Sequence, residues 1–345
     1  MNDTSPSKQR IAVLGAGAWG TALAATLAHA HDVVLWGRDA AQIITLAETR
    51  ENRRYLPGIP LPAGLRFESD LTAALATADL CLIVTPLAAL RATVRRVHAV
   101  TPDLPLLWAC KGVEVDSGKL PHEIVAEELG NAVPSGVLTG PSFADEVGRG
   151  MPTALTLAAR DLAFAEAWAQ ALHQPHLRIY AHDDPIGAEF GGGVKNVIAI
   201  AAGVSDGMGF GLNARAALIT RGLAEITRLG QALGGRSETL MGLSGMGDLI
   251  LTCTGDLSRN RRVGLALARG LTLPAILSEL GHVAEGVPAA RAVTRLARTH
   301  GIEMPICEAV DALLHSDTIG PKDAVERLLS RDPKREYPAH PAPPA

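Results

Sequence analysis

The feature that most constrains the fold is a strand that runs directly into a glycine turn, a helix and a second strand. These segments are residues 10–14, 15–20, 21–29 and 33–36, all within 27 residues. In this context the glycines Gly15, Gly17 and Gly20 predict a dinucleotide-binding unit, because they let the backbone approach a pyrophosphate at a helix N-terminus. A purely structural glycine turn is the alternative interpretation.

Further apolar runs continue the alternation of strands and helices. They cover residues 80–84, 104–109, 137–142 and 154–158, and segments with helical periodicity lie between them. This order predicts a mainly parallel, doubly wound sheet with helices on both faces. Ligands bind at the carboxyl ends of strands in such sheets, and Lys111, Gly140 and Ser142 fall at these ends.

The pattern becomes purely helical after about Pro185. We therefore expect an α/β N-terminal domain of Rossmann type over residues 1–184 and an all-α C-terminal domain over residues 185–330. Residues 331–345 are rich in proline and polar residues, which predicts a disordered tail.

The first helix of the second domain contains the most unusual lysine. Residues 191–203 are apolar on every face apart from Lys195 and Asn196. A helix that is hydrophobic all round is buried, and burying an ammonium group is costly. Either Lys195 extends its charge to a nearby surface, or it is an active-site lysine whose pKa burial lowers. We favour the active-site interpretation.

Composition excludes several classes of function. The 345 residues carry a formal net charge of −4 and only 3% aromatic residues, which argues against a nucleic-acid partner. No run reaches the roughly 18 apolar residues that span a bilayer, so we expect no membrane insertion. The four scattered cysteines predict a cytoplasmic protein, and the histidines lack the spacing of a metal site. Two-fold dimers are common among soluble enzymes, which favours a homodimer.

Two polar motifs lie in the helical region. Ser258, Arg259 and Asn260 precede a helix, so a serine cap, free amides and a guanidinium predict a phosphate site. A solvated basic turn is the alternative. Asp248 stands before an apolar run and, on its own, is most simply a helix cap.

These motifs together resemble the bacterial-type NAD(P)-dependent glycerol-3-phosphate dehydrogenases. The resemblance rests on the following segments: 15–23, 110–112, 140–144, 194–197, 205–207, 213–215, 245–249, 258–260 and 285–286. One departure is Gly193, where the family usually has alanine. We expect this glycine to loosen the start of the helix.

The resemblance implies an activity and roles for individual residues. The reaction would interconvert dihydroxyacetone phosphate and sn-glycerol 3-phosphate and supply glycerophospholipid synthesis. Lys195 would be the proton donor and acceptor, and Lys111 a second cation at the carbonyl. Asp248 would be a carboxylate of the substrate site that holds Lys195 in place or accepts a hydrogen bond from a substrate hydroxyl. The implied substrate contacts are Lys111, Gly140, Ser142, Lys195, Asp248, Ser258, Arg259 and Asn260. The cofactor contacts are Gly15, Gly17, Ala18, Trp19, Gly20, Arg38, Lys111, Ala144, Arg259, Val283 and Glu285.

The residues after the second strand bear on cofactor choice. NAD-binding folds usually place an acidic residue there to bind the ribose 2′-hydroxyl, whereas this chain has Arg38 followed by Asp39. An arginine suits a 2′-phosphate, and we expect Asp39 to cap the next helix. NADP(H) is therefore favoured, with NAD(H) as the alternative.

Two other functions remain open at this point. Another two-domain dehydrogenase of the β-hydroxyacid type would not need the phosphate site at Ser258. A non-catalytic NADP(H)-sensing module would not need a lysine in an apolar helix, and it would bind cofactor without turnover.

Replacing Arg38 tests the cofactor assignment. Arg38→Ala should weaken NADPH binding roughly ten- to a hundred-fold and leave NADH binding nearly unchanged, because only NADPH carries the 2′-phosphate. Fluorescence titration of both cofactors measures this, and equal losses for the two would contradict it.

Overall fold

A sheet with helices on both faces forms the first part of the chain. The computed structural model describes residues 8–130, 132–280, 284–316 and 319–329. The strands are β1 (Arg10–Leu14), β2 (Asp32–Trp36), β3 (Glu51–Asn52), β4 (Leu56–Pro60), β5 (Arg66–Glu68), β6 (Leu80–Ile83), β7 (Leu106–Trp108), β8 (Ser135–Thr139), β9 (Thr153–Ala159) and β10 (Leu177–His182).

Eight of these strands form one sheet in the order β10-β9-β8-β7-β6-β1-β2-β5, and β3 pairs with β4 in a separate ribbon. Within the large sheet, β8 and β9 are antiparallel and the other neighbours are parallel. The helices of this part are α1 (Ala18–Leu27), α2 (Ala40–Thr49), α3 (Leu71–Leu75), α4 (Leu90–Val100), α5 (Pro121–Leu129), α6 (Ala144–Gly148) and α7 (Leu162–Leu172).

Both faces of the sheet are covered, as the continuous apolar runs predict. On β1, Ile11 and Val13 join a core cluster that contains Leu23 of α1. The alternate residues Ala12 and Leu14 belong to a second cluster, on the opposite face.

The described chain after β10 is helical. Its helices are α8 (Pro185–Gly207), α9 (Gly211–Ala232), α10 (Ser237–Leu240), α11 (Asp248–Thr254), α12 (Arg259–Ala268), α13 (Leu273–Leu280), α14 (Gly286–Thr299), α15 (Pro305–His315) and α16 (Pro321–Leu329). A π-helical turn, Leu243–Gly247, precedes α11. A mainly parallel α/β region followed by a helical region is therefore confirmed as the fold class. The predicted tail, residues 331–345, lies outside the described residues.

Some elements differ from the sequence prediction. The edge strand β10 was not predicted, because its alternating buried and exposed residues do not form a continuous apolar run. The short helix α6 was not predicted either, and α2 and α11 were predicted only through the caps expected at Asp39 and Asp248. The strand predicted for residues 137–142 ends at Thr139, so Gly140 and Ser142 lie in the loop beyond it.

Strand register places the functional loops at one edge of the sheet. Leu14, at the end of β1, lies opposite Trp36 on one side and Ile83 on the other, and Ile83 lies opposite Trp108. The loops that follow these strands, including the glycine turn and Lys111, therefore leave the sheet at the same level.

Helix α8 is the core of the helical part. Every residue from Gly187 to Ser205 is buried, as the apolar pattern of this helix predicts. Helix α12 packs so closely against α8 that the two backbones are in contact. A Cβ added at Gly264 would lie 2.0 Å from the Ile200 carbonyl oxygen. One at Gly203 would lie 2.0 Å from the carbonyl oxygen of Arg261. Only glycines allow so close an approach, so they fix α12 relative to α8.

Candidate active site

The turn between β1 and α1 fits an anionic ligand. Gly15 has φ +128°, and its N–H donates to the Trp36 carbonyl oxygen at 2.9 Å, so the chain turns sharply at the end of β1. Gly17 caps α1 without a side-chain hydrogen bond, and a Cβ added there would meet nothing within 4 Å. The space beside Gly17 is therefore open, and a pyrophosphate could approach the start of α1 there.

The end of β2 presents a free cation. The side chain of Asp39 accepts hydrogen bonds from the N–H groups of Ala41 and Gln42 at 3.1 and 3.2 Å, which confirms it as the cap of α2. Arg38 is exposed and, among the described residues, has no hydrogen bond or ion pair. Its guanidinium is thus available to a ligand.

The chemically reactive part of the site consists of two lysines on one buried carboxylate. The Lys111 Nζ donates to Asp248 Oδ2 at 2.7 Å, and the Lys195 Nζ forms an ion pair with Asp248 Oδ1. Lys195 is 8% exposed and Asp248 1% exposed. The prediction that Lys195 is buried is therefore confirmed, and its charge does not extend to a distant surface.

Burial and charge act against each other in this cluster. Burial lowers the pKa of Lys195 to about 8, an effect that Asp248 opposes and the charge of Lys111 reinforces. For Asp248, burial alone would raise the pKa, but the two ammonium groups outweigh it and hold the pKa below its usual value. The carboxylate is therefore ionised at neutral pH, and Lys195 is poised to exchange a proton there.

The structure corrects the simple interpretation of Asp248. The cap of α11 is Gly247, and Asp248 is the first residue of the helix, so its carboxylate is directed at the lysines and not at backbone amides. The expected effect of Gly193 is also wrong. Helix α8 begins at Pro185, so Gly193 lies in its interior, where an added Cβ would be 2.8 Å from the Cα of Gly112.

The N-terminus of α12 carries the predicted phosphate motif. The Ser258 side chain accepts a hydrogen bond from the Arg261 N–H at 3.2 Å, so Ser258 is the cap of α12. Arg259 is exposed, with no partner among the residues that the structure describes. Asn260 is buried: its Nδ2 donates to Asn196 Oδ1 at 2.9 Å, and its Oδ1 accepts from the Gly286 N–H at 2.9 Å. Its amide therefore ties α12 to α8 and α14.

The remaining predicted contacts lie in two places. The Trp19 Nε1 donates to the Ser142 hydroxyl at 3.1 Å, and that hydroxyl donates to the Gly140 carbonyl oxygen at 3.2 Å, which joins the cofactor turn to the loop after β8. Ala144 begins α6. Glu285 precedes α14 and is half-buried, and Val283 lies outside the described residues.

A buried network around Glu189 was not predicted from the sequence. Glu189, fully buried on α8, accepts hydrogen bonds from the Trp108 Nε1 at 3.3 Å and from the His122 N–H at 3.1 Å, and pairs with the His122 ring. Burial raises the pKa of Glu189. The available signal was an acidic residue in an apolar helix, which needs a buried partner.

The described residues contain neither a cluster of metal ligands nor a membrane-spanning helix. Over residues 8–130, 132–280, 284–316 and 319–329, no group of three or more His, Cys, Asp or Glu side chains is placed to hold a metal ion. Within the same ranges, no helix is long and apolar enough to cross a membrane.

Comparison with known proteins agrees with this geometry. Family models described as the N-terminus and the C-terminus of NAD-dependent glycerol-3-phosphate dehydrogenase match residues 10–165 and 184–326. The glycerol-3-phosphate dehydrogenase [NAD(P)+] of Aromatoleum aromaticum is 70% identical over 95% of this chain and all of its own length. That of Dechloromonas aromatica is 58% identical over 95% of this chain and 99% of its own.

A solved structure extends the similarity to three dimensions. The glycerol-3-phosphate dehydrogenase of Coxiella burnetii superposes with a TM-score of 0.90 at 44% identity and covers 94% of this chain and 100% of its own. Both parts of the chain, and the order in which they occur, are thus shared with these enzymes. The chain belongs to the NAD-dependent glycerol-3-phosphate dehydrogenase family.

Proposed function

We propose that this protein interconverts dihydroxyacetone phosphate and sn-glycerol 3-phosphate with NAD(P)H. This proposal rests on one observation: Lys111 and Lys195 each pair with a different carboxylate oxygen of Asp248. Lys111 lies at the same edge of the sheet as the glycine turn. A carbonyl placed there would meet two cations, one of which can give up a proton.

The lysine pair accounts for the chemistry at the substrate oxygen. A nicotinamide cofactor, when bound, would supply a hydride to the carbonyl carbon in one direction and accept it in the other. As negative charge develops on the carbonyl oxygen, Lys195 donates a proton to it and Lys111 stabilises the charge. In the reverse direction, neutral Lys195 accepts the hydroxyl proton. Asp248 stays ionised throughout and holds both amines in place.

We assign the substrate phosphate to the N-terminus of α12. Ser258, Arg259 and Asn260 supply a cap, a free guanidinium and a helix end, which together suit a dianion. Gly140 and Ser142 would line the opposite side of the substrate, close to Trp19. This phosphate site favours the proposed substrate over a simple hydroxyacid, and the lysine pair favours an enzyme over a cofactor sensor.

We assign the cofactor to the open space at the β1–α1 turn. The pyrophosphate would lie against the amides that follow Gly17, and Arg38 would bind a 2′-phosphate, so we propose a preference for NADP(H) over NAD(H). The other proposed contacts are Gly15, Ala18, Trp19, Gly20, Lys111, Ala144, Arg259, Val283 and Glu285. A homodimer, a cytoplasmic location and a role in glycerophospholipid synthesis remain predictions.

Replacing Lys195 tests the proton-transfer role. Lys195→Met preserves bulk but removes the proton and the charge, so kcat should fall at least about a hundred-fold. NADPH binding should change little, because the β1–α1 turn is intact. The exposed residue Lys322 provides the control variant Lys322→Met. A Lys195→Met enzyme with more than half the wild-type kcat would contradict the assignment.

Replacing Arg259 tests the phosphate site. Wild-type enzyme should use dihydroxyacetone phosphate well and dihydroxyacetone poorly, because binding of the phosphate helps to position the carbonyl. Arg259→Ala should reduce kcat/KM for the phosphorylated ketone roughly ten- to a hundred-fold and affect the bare ketone much less. Both substrates are assayed at saturating NADPH, since Arg259 is also a proposed cofactor contact.

Arg269→Ala is the matched control for this experiment. Arg269 is exposed just beyond the other end of α12, so its replacement removes the same charge about 15 Å away. Arg269→Ala should leave the preference for dihydroxyacetone phosphate over dihydroxyacetone unchanged. If Arg259→Ala lowered activity on both ketones by the same factor, Arg259 would not bind the phosphate.

A further inference from the structure

We propose that Asp206 is a positioning residue for the substrate phosphate, acting through two arginines. It belongs to neither the lysine pair nor the phosphate motif. This inference rests on the proposed phosphate site at the N-terminus of α12. We call Asp206, Arg215 and Arg261 the arginine clamp.

The clamp joins three helices through one carboxylate oxygen. Oδ2 of Asp206, near the end of α8, accepts a hydrogen bond from the Nε of Arg261 at 2.9 Å and lies 2.8 Å from its Nη2. The same oxygen accepts from the Nη1 of Arg215, in the first turns of α9, at 3.0 Å. The side chains of Asp206 and Arg261 are 12% and 11% exposed. Hydrogen bonds between charged groups that are this well shielded are stronger than surface ion pairs.

Arg261 connects the clamp to the phosphate motif. Its N–H donates to the capping hydroxyl of Ser258 at 3.2 Å, and its carbonyl oxygen lies in the backbone contact with Gly203. The main chain and the side chain of Arg261 are thus both attached to α8. The first turn of α12 is held between them, and Arg259 lies in that turn.

Asp206 is the partner that can order Arg261. The other carboxylate on this guanidinium is Asp256, which lies 2.9 Å from Nη1 but is 97% exposed. An ion pair with so exposed a side chain adds little order. Without Asp206, two shielded guanidinium groups, those of Arg215 and Arg261, would lie close together with little compensating charge.

The clamp therefore has a specific consequence for catalysis. An ordered helix N-terminus presents Arg259 and the free amides of α12 before the phosphate arrives, which avoids an ordering cost on binding. If the N-terminus of α12 were less ordered, the phosphorylated substrate would bind more weakly and would be positioned less well. A ketone without a phosphate does not use the N-terminus of α12 and would not be affected in the same way.

Two variants of the clamp test this inference. In Asp206→Asn the residue keeps its size but loses its charge, and Arg215→Gln removes one of the two guanidinium groups without touching α12. For each, kcat and KM are measured for dihydroxyacetone phosphate and for dihydroxyacetone at saturating NADPH. Inhibition by inorganic phosphate against the phosphorylated ketone is measured alongside, and thermal unfolding establishes that each variant is folded at the assay temperature.

Asp206→Asn should lower the ratio of kcat/KM values for the two ketones about ten-fold, mainly through KM for the phosphorylated one. Arg215→Gln should change the ratio in the same direction by less, and phosphate should inhibit both variants more weakly. The control is Asp79→Ala, which breaks another Asp–Arg pair, between Asp79 and Arg10, at the opposite end of β1. It should leave the ratio unchanged.

Two results would overturn the inference. One is an equal loss on both ketones in Asp206→Asn, which would mean a general structural role, and the other is an unchanged ratio in both folded clamp variants. A wrong assignment of the phosphate site would give a different result, because wild-type enzyme would then use the two ketones equally well. That result would refute the proposed phosphate site and this inference with it.

Discussion

The bridge from Lys111 through Asp248 to Lys195 is the interaction on which the proposed site depends. It joins the loop after β7 to α8 and α11, so it connects the sheet to the helical part of the chain. The bridge contains two ammonium groups and one carboxylate, so removing Asp248 would leave both buried cations without their partner, and breaking a buried pair in this way typically costs about 3–5 kcal/mol. The carboxylate of Asp248 therefore keeps the two buried amines paired, and the same three side chains set the pKa of Lys195.

Helix α8 supplies the rigid frame for this bridge and for the N-terminus of α12. Lys195 and Asn196 are adjacent on it: the first pairs with Asp248, and the second accepts a hydrogen bond from Asn260 at the start of α12. The close approach at Gly203 fixes α12 further along the same helix. The separation between the proton donor and the proposed phosphate site is thus set by one buried helix.

Much of this arrangement follows from local sequence patterns. A helix apolar on every face predicts the burial of Lys195, and the caps at Asp39 and Ser258 depend on near neighbours. The cap expected at Asp248 from the local pattern is wrong, because the partners of this carboxylate are far away along the chain. The network of Glu189 with His122 also joins residues that are far apart in the chain. The periodicity of a helix can predict that an acidic residue is buried, but it does not identify the distant side chain that pairs with it.

The pH dependence of kcat/KM in wild-type enzyme and in Asp248→Asn tests the lysine bridge most directly. Ketone reduction needs protonated Lys195, so wild-type activity should fall as pH rises through about 8. Without the carboxylate, burial and the charge of Lys111 are opposed only by the weaker effect of Glu285, so this fall should occur at least about one pH unit lower. The oxidation of glycerol 3-phosphate needs the neutral amine, and its rise should move in the same direction. A fall at the same pH in both enzymes would contradict the role of Asp248 in tuning Lys195.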